Sequence, residues 1–235
     1  MIILLVAPAH FSGSSYNVSS LTLVPKAVLL VAVCAGSVVA CGGEPEQADD
    51  SVAGQAPDSF VVALNTSGGE IRIRMHRAWS PLAVDRVYEL VQTGFYDGAR
   101  FYRVNDQYVQ FGFSGRPERD TVWFDRRLPD EPVRASNVGG AVSFGRAGPG
   151  SRNFVLFMNL VDNTFLDEWA GDGVVGFPPV GIVEEGLDVA ERFNAEHGDA
   201  IVPLEDSILQ SGNDFLDRRY PGLDSIVTAE IAHVW

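Results

Sequence analysis

From residue 59 onward the chain alternates short apolar runs with turn residues. Phe60 to Asn65 and Glu70 to Met75 alternate or run apolar, with Thr66-Ser67-Gly68-Gly69 between them, the pattern of a β-hairpin. Ile71 and Ile73 fall on one face of the second strand, Arg72 and Arg74 on the other. Ser80-Pro81 then opens a helix, with Leu82, Val84, Val87, Leu90 and Val91 roughly at helical spacing and Gly94 as its stop. Asp97-Gly98 turns the chain into Phe101 to Gly115, which reads as a strand, a polar break (Asn105, Asp106, Gln107) and a second strand. Arg116 to Asn137 is charged and rich in proline, which predicts a long surface loop with a short strand around Val122 to Phe124. Gly139 to Phe144 and Phe154 to Leu160 are further strands, joined by the Gly/Pro loop Arg146 to Asn153. Ile226 to His233 is expected to be the closing strand. Many short strands punctuated by turns predict a mainly β fold, a closed antiparallel barrel.

The first 57 residues do not fit that fold. Ala27 to Ala40 is an apolar run behind Lys26, too short for a confident membrane span, and it reads as a signal peptide. Its end, Val38-Val39-Ala40-Cys41, resembles the lipobox of bacterial lipoproteins, in which the cysteine is acylated and becomes the new N-terminus. Two or more acyl chains anchor stably where one does not. The alternative is an ordinary secretory peptide cut after Ala40. Residues 1 to 23 carry no positive charge and suit a leader poorly, so the expected start lies near Val24. Gly42 to Pro57 is rich in Gly, Pro, Ala and acidic residues and is expected to be a disordered tether. As a flexible coil it would span about 20 Å. The expected organisation is therefore a signal peptide over 1–40, a lipidated Cys41 and tether over 41–57, and one domain over 58–235. That places the domain outside the cytoplasm, held to a membrane through its lipid.

Charge narrows the partners. The formal net charge of −14 argues against nucleic acid and against attraction to anionic headgroups. Both cysteines, Cys34 and Cys41, precede the domain, so it has no thiol and no disulfide. His10, His76, His197 and His233 show no metal-ligand spacing, and no metal site is expected. Gly112-Phe113-Ser114-Gly115 is one residue short of a nucleophile elbow, and Gly145 to Gly150 lacks the lysine of a phosphate loop. Asp162, Asn163 and Asp167 lack calcium-loop spacing and read as turn residues. What stands out is Arg103, a charge among Phe101, Tyr102, Val104, Tyr108, Val109 and Phe111, which must reach solvent, pair, or face a site.

Two stretches carry a family resemblance. FYRV…YVQFG resembles the segment of cyclophilins that bears their catalytic arginine, and Val142 to Leu160 (VSFGRAGPGSRNFVLFMNL) resembles their other signature. The likeness covers roughly Ser59 to Val234. Phe177-Pro178-Pro179-Val180-Gly181 resembles the FxPFG segment of bacterial cyclophilins, and Asp206 to Asp224 resembles an extension of a bacterial subgroup. The resemblance implies an eight-stranded barrel with a helix over each end, the second helix at Leu187 to Asn194. It implies a peptidyl-prolyl isomerase that needs no cofactor, acts on proline-containing polypeptides and works as a monomer.

The same resemblance assigns roles. Arg103 matches the catalytic arginine, Phe157 the base of the proline pocket and Leu166 its wall. Phe165 and Phe177 fall where cyclophilin A has a tryptophan and a histidine. Gln110 matches the glutamine after the arginine strand, and a one-residue gap leaves either Tyr108 or Val109 as the apolar pocket residue there. Three positions depart from the pattern: Val155 replaces a glutamine, Arg146 an asparagine and Gly145 an alanine. Trp169 lies in an inserted loop, Glu168 to Gly173, and either flanks the groove or covers an edge. The rival reading is a proline-binding module without turnover, motivated by Val155. Arg103 separates the two, because turnover needs it and binding mainly needs the pocket.

Overall fold

The computed structural model describes residues 54–235; the leader, Cys41 and most of the tether lie outside the described residues. The last tether residues already belong to the domain, since Ala56 is buried and its N–H donates to Asp85 Oδ1 at 3.0 Å.

The hairpin forms as its alternation predicts. β1 (Ser59–Thr66) and β2 (Gly69–His76) pair antiparallel with Phe60 opposite Met75 and Thr66 opposite Gly69. Ile71, Ile73 and Met75 face the core. Helix α1 (Pro81–Gln92) follows, with Ser80 at its N-cap and Pro81 in its first turn. Ser80 does not cap it, however. The Glu131 carboxylate, fifty residues downstream in the chain, accepts the N–H groups of Leu82 (2.9 Å) and Ala83 (3.2 Å), together with the Ser80 hydroxyl (2.5 Å). A carboxylate there answers the unpaired amides and the positive end of the helix dipole. The buried stripe is Ala83, Val84, Val87, Leu90 and Val91; Leu82, expected in it, is 44% exposed. Gly94, at φ +59, ends the helix through bonds from its N–H to Val91 O and from Phe95 N–H to Leu90 O, a Schellman stop.

β3 (Arg103–Val104) and β4 (Tyr108–Phe111) form the second hairpin, followed by β5 (Ala141–Phe144), β6 (Leu156–Asn159), β7 (Pro179–Glu185) and β8 (Ile226–Val234). All eight join one antiparallel sheet in the order β3-β4-β6-β5-β7-β2-β1-β8. The expected closed barrel is not completed by a ladder, and the sheet is a curled half-barrel. Its end strands β3 and β8 are joined just before they begin, by a bridge between Arg100 and Ser225 and by bonds such as Ile226 N–H to Ala99 O at 2.8 Å.

Two other expectations change. Residues 117–124 form helix α2 (Pro117–Phe124), not a loop with a strand at Val122 to Phe124. Pro117 at its start and Glu118 and Asp120 in its first turn favour a helix locally. The apolar trio there resembled a strand, but only Trp123 of the three is buried. The second helix expected at Leu187 to Asn194 shrinks to one turn, α3 (Leu187–Ala190). The long helix comes later as α4 (Glu205–Arg219), broken at Gly212, whose φ of +57 and close approach to Gly115 O exclude a side chain. Among the described residues no helix is long and apolar enough to cross a membrane.

Candidate active site on the outer face of β3, β4 and β6

Strand alternation sends β4 and β6 residues to opposite faces. Val109, Phe111, Leu156 and Met158 join the main core with Val142 and Phe144. On the other face Arg103 stands opposite Gln110, Gln110 opposite Phe157, and Phe157 opposite Ser143, a row across four strands. Tyr108, one pair along, packs edge-on against Phe157 at 5.7 Å between ring centroids. Leu166 and Phe177 complete a second apolar cluster, separate from the main core, and Trp169 lies on Phe177 at 5.5 Å.

Arg103 sits beside this cluster, its guanidinium carbon 5.1 Å from the centre of the Tyr108 ring. Its side chain is 3% exposed, and a charge so buried needs partners. Nε donates to Asp199 Oδ1 at 2.6 Å and Nη1 to Gln110 Oε1 at 3.2 Å. Nη2 makes no hydrogen bond among the described residues and keeps contact with solvent. Gln110 is oriented in turn: its Nε2 donates to Tyr102 OH (2.6 Å) and Glu205 Oε1 (3.2 Å), leaving Oε1 to face Arg103. The Tyr102 hydroxyl donates to the same Glu205 oxygen at 2.7 Å. Burial pushes the Glu205 carboxyl up and the Tyr102 phenol well up from their usual ranges.

Polar bonds fix the loop that carries Leu166 and Phe177. Asn137 Nδ2 donates to Asp167 Oδ1 (2.7 Å) and Phe177 O (2.8 Å), while its Oδ1 accepts from Ser143 Oγ (2.9 Å). Arg146 closes the far side, with Nε and Nη2 on Asp172 (2.6 and 3.1 Å), Nη2 also on Val174 O (2.9 Å) and Nη1 on Gly176 O. Its guanidinium carbon lies 3.9 Å from the Phe177 ring centre. Among the described residues no group of His, Cys, Asp or Glu could hold a metal ion. The arrangement offers an apolar ring cluster beside a cation with a spare donor.

The sequence matches the model of the family described as cyclophilin type peptidyl-prolyl cis-trans isomerase/CLD, over residues 61–213. The chain belongs to this family. Peptidyl-prolyl cis-trans isomerase A of Dickeya dadantii is 28% identical to it over 154 residues, covering 64% of this chain and 79% of that protein. Peptidyl-prolyl cis-trans isomerase cyp18 of Streptomyces antibioticus is 28% identical over 161 residues, covering 64% of this chain and 96% of that protein. Among solved structures, a cyclophilin type peptidyl-prolyl cis-trans isomerase of Cryptosporidium parvum superposes with a TM-score of 0.51 at 13% identity, covering 74% of this chain and 97% of that one. That likeness concerns the fold. The protein is a cyclophilin-type peptidyl-prolyl cis-trans isomerase, and such enzymes act on proline-containing polypeptides.

In this cyclophilin the structure brings together Arg103, Tyr108, Gln110, Phe157, Leu166 and Phe177. It separates the others. Of the two residues left open, Val109 points into the main core and Tyr108 joins the ring cluster. Phe165 is 52% exposed and lies outside the ring cluster, because the 3-10 turn Thr164–Asp167 turns Leu166 inward instead. Val155 packs with the main core rather than the rings. Gly145 lies against it: a methyl at Gly145 would meet Val155 Cγ1 at 3.1 Å, so the two departures fit each other. Arg146 spends its donors on its own loop and supports Phe177 from behind. Trp169 lies against the cluster. Sequence reasoning missed Asn137, Asp199 and Glu205, isolated polar residues far along the chain from their partners.

Proposed function

We propose that Arg103 drives the isomerisation by donating from Nη2 to the prolyl nitrogen as the Xaa-Pro bond twists. The barrier, ~18–20 kcal/mol, comes from amide resonance. In the twisted state that nitrogen becomes pyramidal and regains its lone pair, so a fixed donor stabilises the transition state over either planar isomer. The observation that carries this reading is the position of Arg103, beside the Tyr108 ring with Nε and Nη1 engaged and Nη2 free of the fold. In this reading the proline ring sits against Tyr108, Phe157, Leu166 and Phe177, and Trp169 and the exposed Phe165 flank its entrance. Gln110 holds the guanidinium in plane. No bond breaks, so no nucleophile or cofactor is required.

The leader extends the proposal to place. A lipidated Cys41 would hold a monomeric domain at the outer side of a membrane on its tether, where exported chains fold and slow proline isomerisation limits them. The test is exchange of an Ala-Pro peptide followed by NMR, with the parent and Arg103→Ala, beside fatty-acid labelling of the parent and Cys41→Ser in cells. Acceleration by the parent alone, with label lost in Cys41→Ser, supports both parts. Acceleration kept by Arg103→Ala removes the arginine mechanism, and label kept by Cys41→Ser removes the anchor.

A further inference from the structure

Asp199 lies outside every element, in the stretch between α3 and α4 that the sequence left without a role. It is 47% exposed, yet its Oδ1 accepts both Arg103 Nε (2.6 Å) and Asn105 Nδ2 (2.9 Å). Asn105 is itself committed. Its Oδ1 accepts the N–H groups of Gln107 (2.9 Å) and Tyr108 (2.8 Å) and so shapes the β3–β4 turn that presents Tyr108. One carboxylate oxygen thus ties the guanidinium to the turn that carries the neighbouring ring. Two acceptors at different edges, Asp199 at Nε and Gln110 at Nη1, fix the guanidinium plane. Asp199 does not take Nη2, the donor left over, so it braces the arginine without competing for that donor.

We infer that Asp199 is a positioning residue for prolyl isomerisation, acting through Arg103, an inference that rests on the arginine mechanism proposed above. A half-exposed carboxylate adds little to stability. Its value lies in geometry, because a guanidinium free to rotate meets the twisted amide in few of its orientations.

The test uses the full-length protein and Ala-Pro peptide exchange, with kcat and KM separated, for the parent, Asp199→Ala, Asp199→Asn, Arg103→Ala and the double variant Arg103→Ala/Asp199→Ala. Asp199→Ala is expected to lose about tenfold in kcat with KM within about twofold, since the ring pocket is untouched. Asp199→Asn keeps an acceptor oxygen and is expected to recover most of that loss. Adding Asp199→Ala to Arg103→Ala should cost nothing more. The Arg103 Nε–H resonance should be protected in the parent and exposed to exchange in Asp199→Ala, with the amide spectrum otherwise retained. An Asp199→Ala protein as fast as the parent, or faster, overturns the inference, as does an equal loss in the Arg103→Ala background. If the parent accelerates exchange and Arg103→Ala does so equally, the arginine mechanism fails first and the brace with it.

Discussion

Arg103 and Arg152 are both almost wholly out of water, and each leans on one carboxylate. Arg152 and its partner Glu131 are sealed in together, their side chains 1% and 9% exposed. Arg152 also donates to Ser80 Oγ at 3.3 Å and to Pro129 O, and Glu131 caps α1, while Arg152 Nε is buried without a partner. Arg103 is 3% exposed but its partner Asp199 is 47% exposed, and one of its donors is left over. Depth of burial alone therefore does not mark a functional charge. What differs is the counter-charge, half in water beside Arg103 and sealed in beside Arg152, and the place of the unused donor, which is shut away at Arg152 Nε and not at Arg103 Nη2; on the proposed mechanism this leaves Arg103 able to meet a substrate.

The comparison breaks most visibly at Glu131. Glu131→Ala leaves Arg152 buried without its counter-charge and α1 without its cap, and should cost about 3–5 kcal/mol. Denaturant unfolding at fixed pH reads this, and the folded fraction should keep its isomerase rate. A loss confined to the rate would make Arg152 part of the site.

Asp120 sharpens the contrast, as a buried charge with an idle oxygen. Its Oδ1 accepts the Ser114 N–H at 2.8 Å, its Oδ2 has no partner, and burial pushes the carboxyl up to about 6. A raised carboxyl binds its proton more tightly when folded. The stability it lends is therefore complete below its unfolded value near 4 and is lost as pH rises through about 6. Asp120→Asn lacks this titration, so its stability relative to the parent should rise by about 2 kcal/mol between pH 4 and 7. Unfolding midpoints at the two pH values measure it, and a constant difference would contradict the burial account.

Smaller effects follow. Gly145→Ala crowds Val155 and should cost about 1–2 kcal/mol, most of it recovered in the double variant with Val155→Ala. Asp199→Ala should cost clearly less stability than Glu131→Ala, because its carboxylate is half in water, while on the proposed mechanism it lowers turnover. A large loss of stability there would move Asp199 to the side of Glu131.

Much of this was legible in the sequence, for reasons that differ by element. The hairpins and α1 follow from period and from Gly and Pro signals, which act locally. Arg103 is visible because a charge in an apolar run needs a reason. Tyr108 could not be separated from Val109 by sequence, whereas the register Arg103 opposite Gln110 puts Tyr108 on the arginine's face and Val109 on the other. α2 was misread because Val122-Trp123-Phe124 is too short to distinguish helical from strand spacing. α4 was hidden by its polar run and by Gly212, whose break interrupts any helical period. Asp199 was unreadable, since it meets Arg103 across 96 residues and nothing in its surroundings signals a partner.

The central claim is that Arg103 serves turnover and not the fold. It is tested most directly by measuring two properties of one Arg103→Ala preparation, its Ala-Pro exchange rate and its unfolding midpoint. The account predicts a rate lower by about 10²–10³-fold, the usual cost of removing one transition-state donor, with the stability loss well below that of Glu131→Ala. An unchanged rate, or a stability loss as large as that of Glu131→Ala, would contradict it.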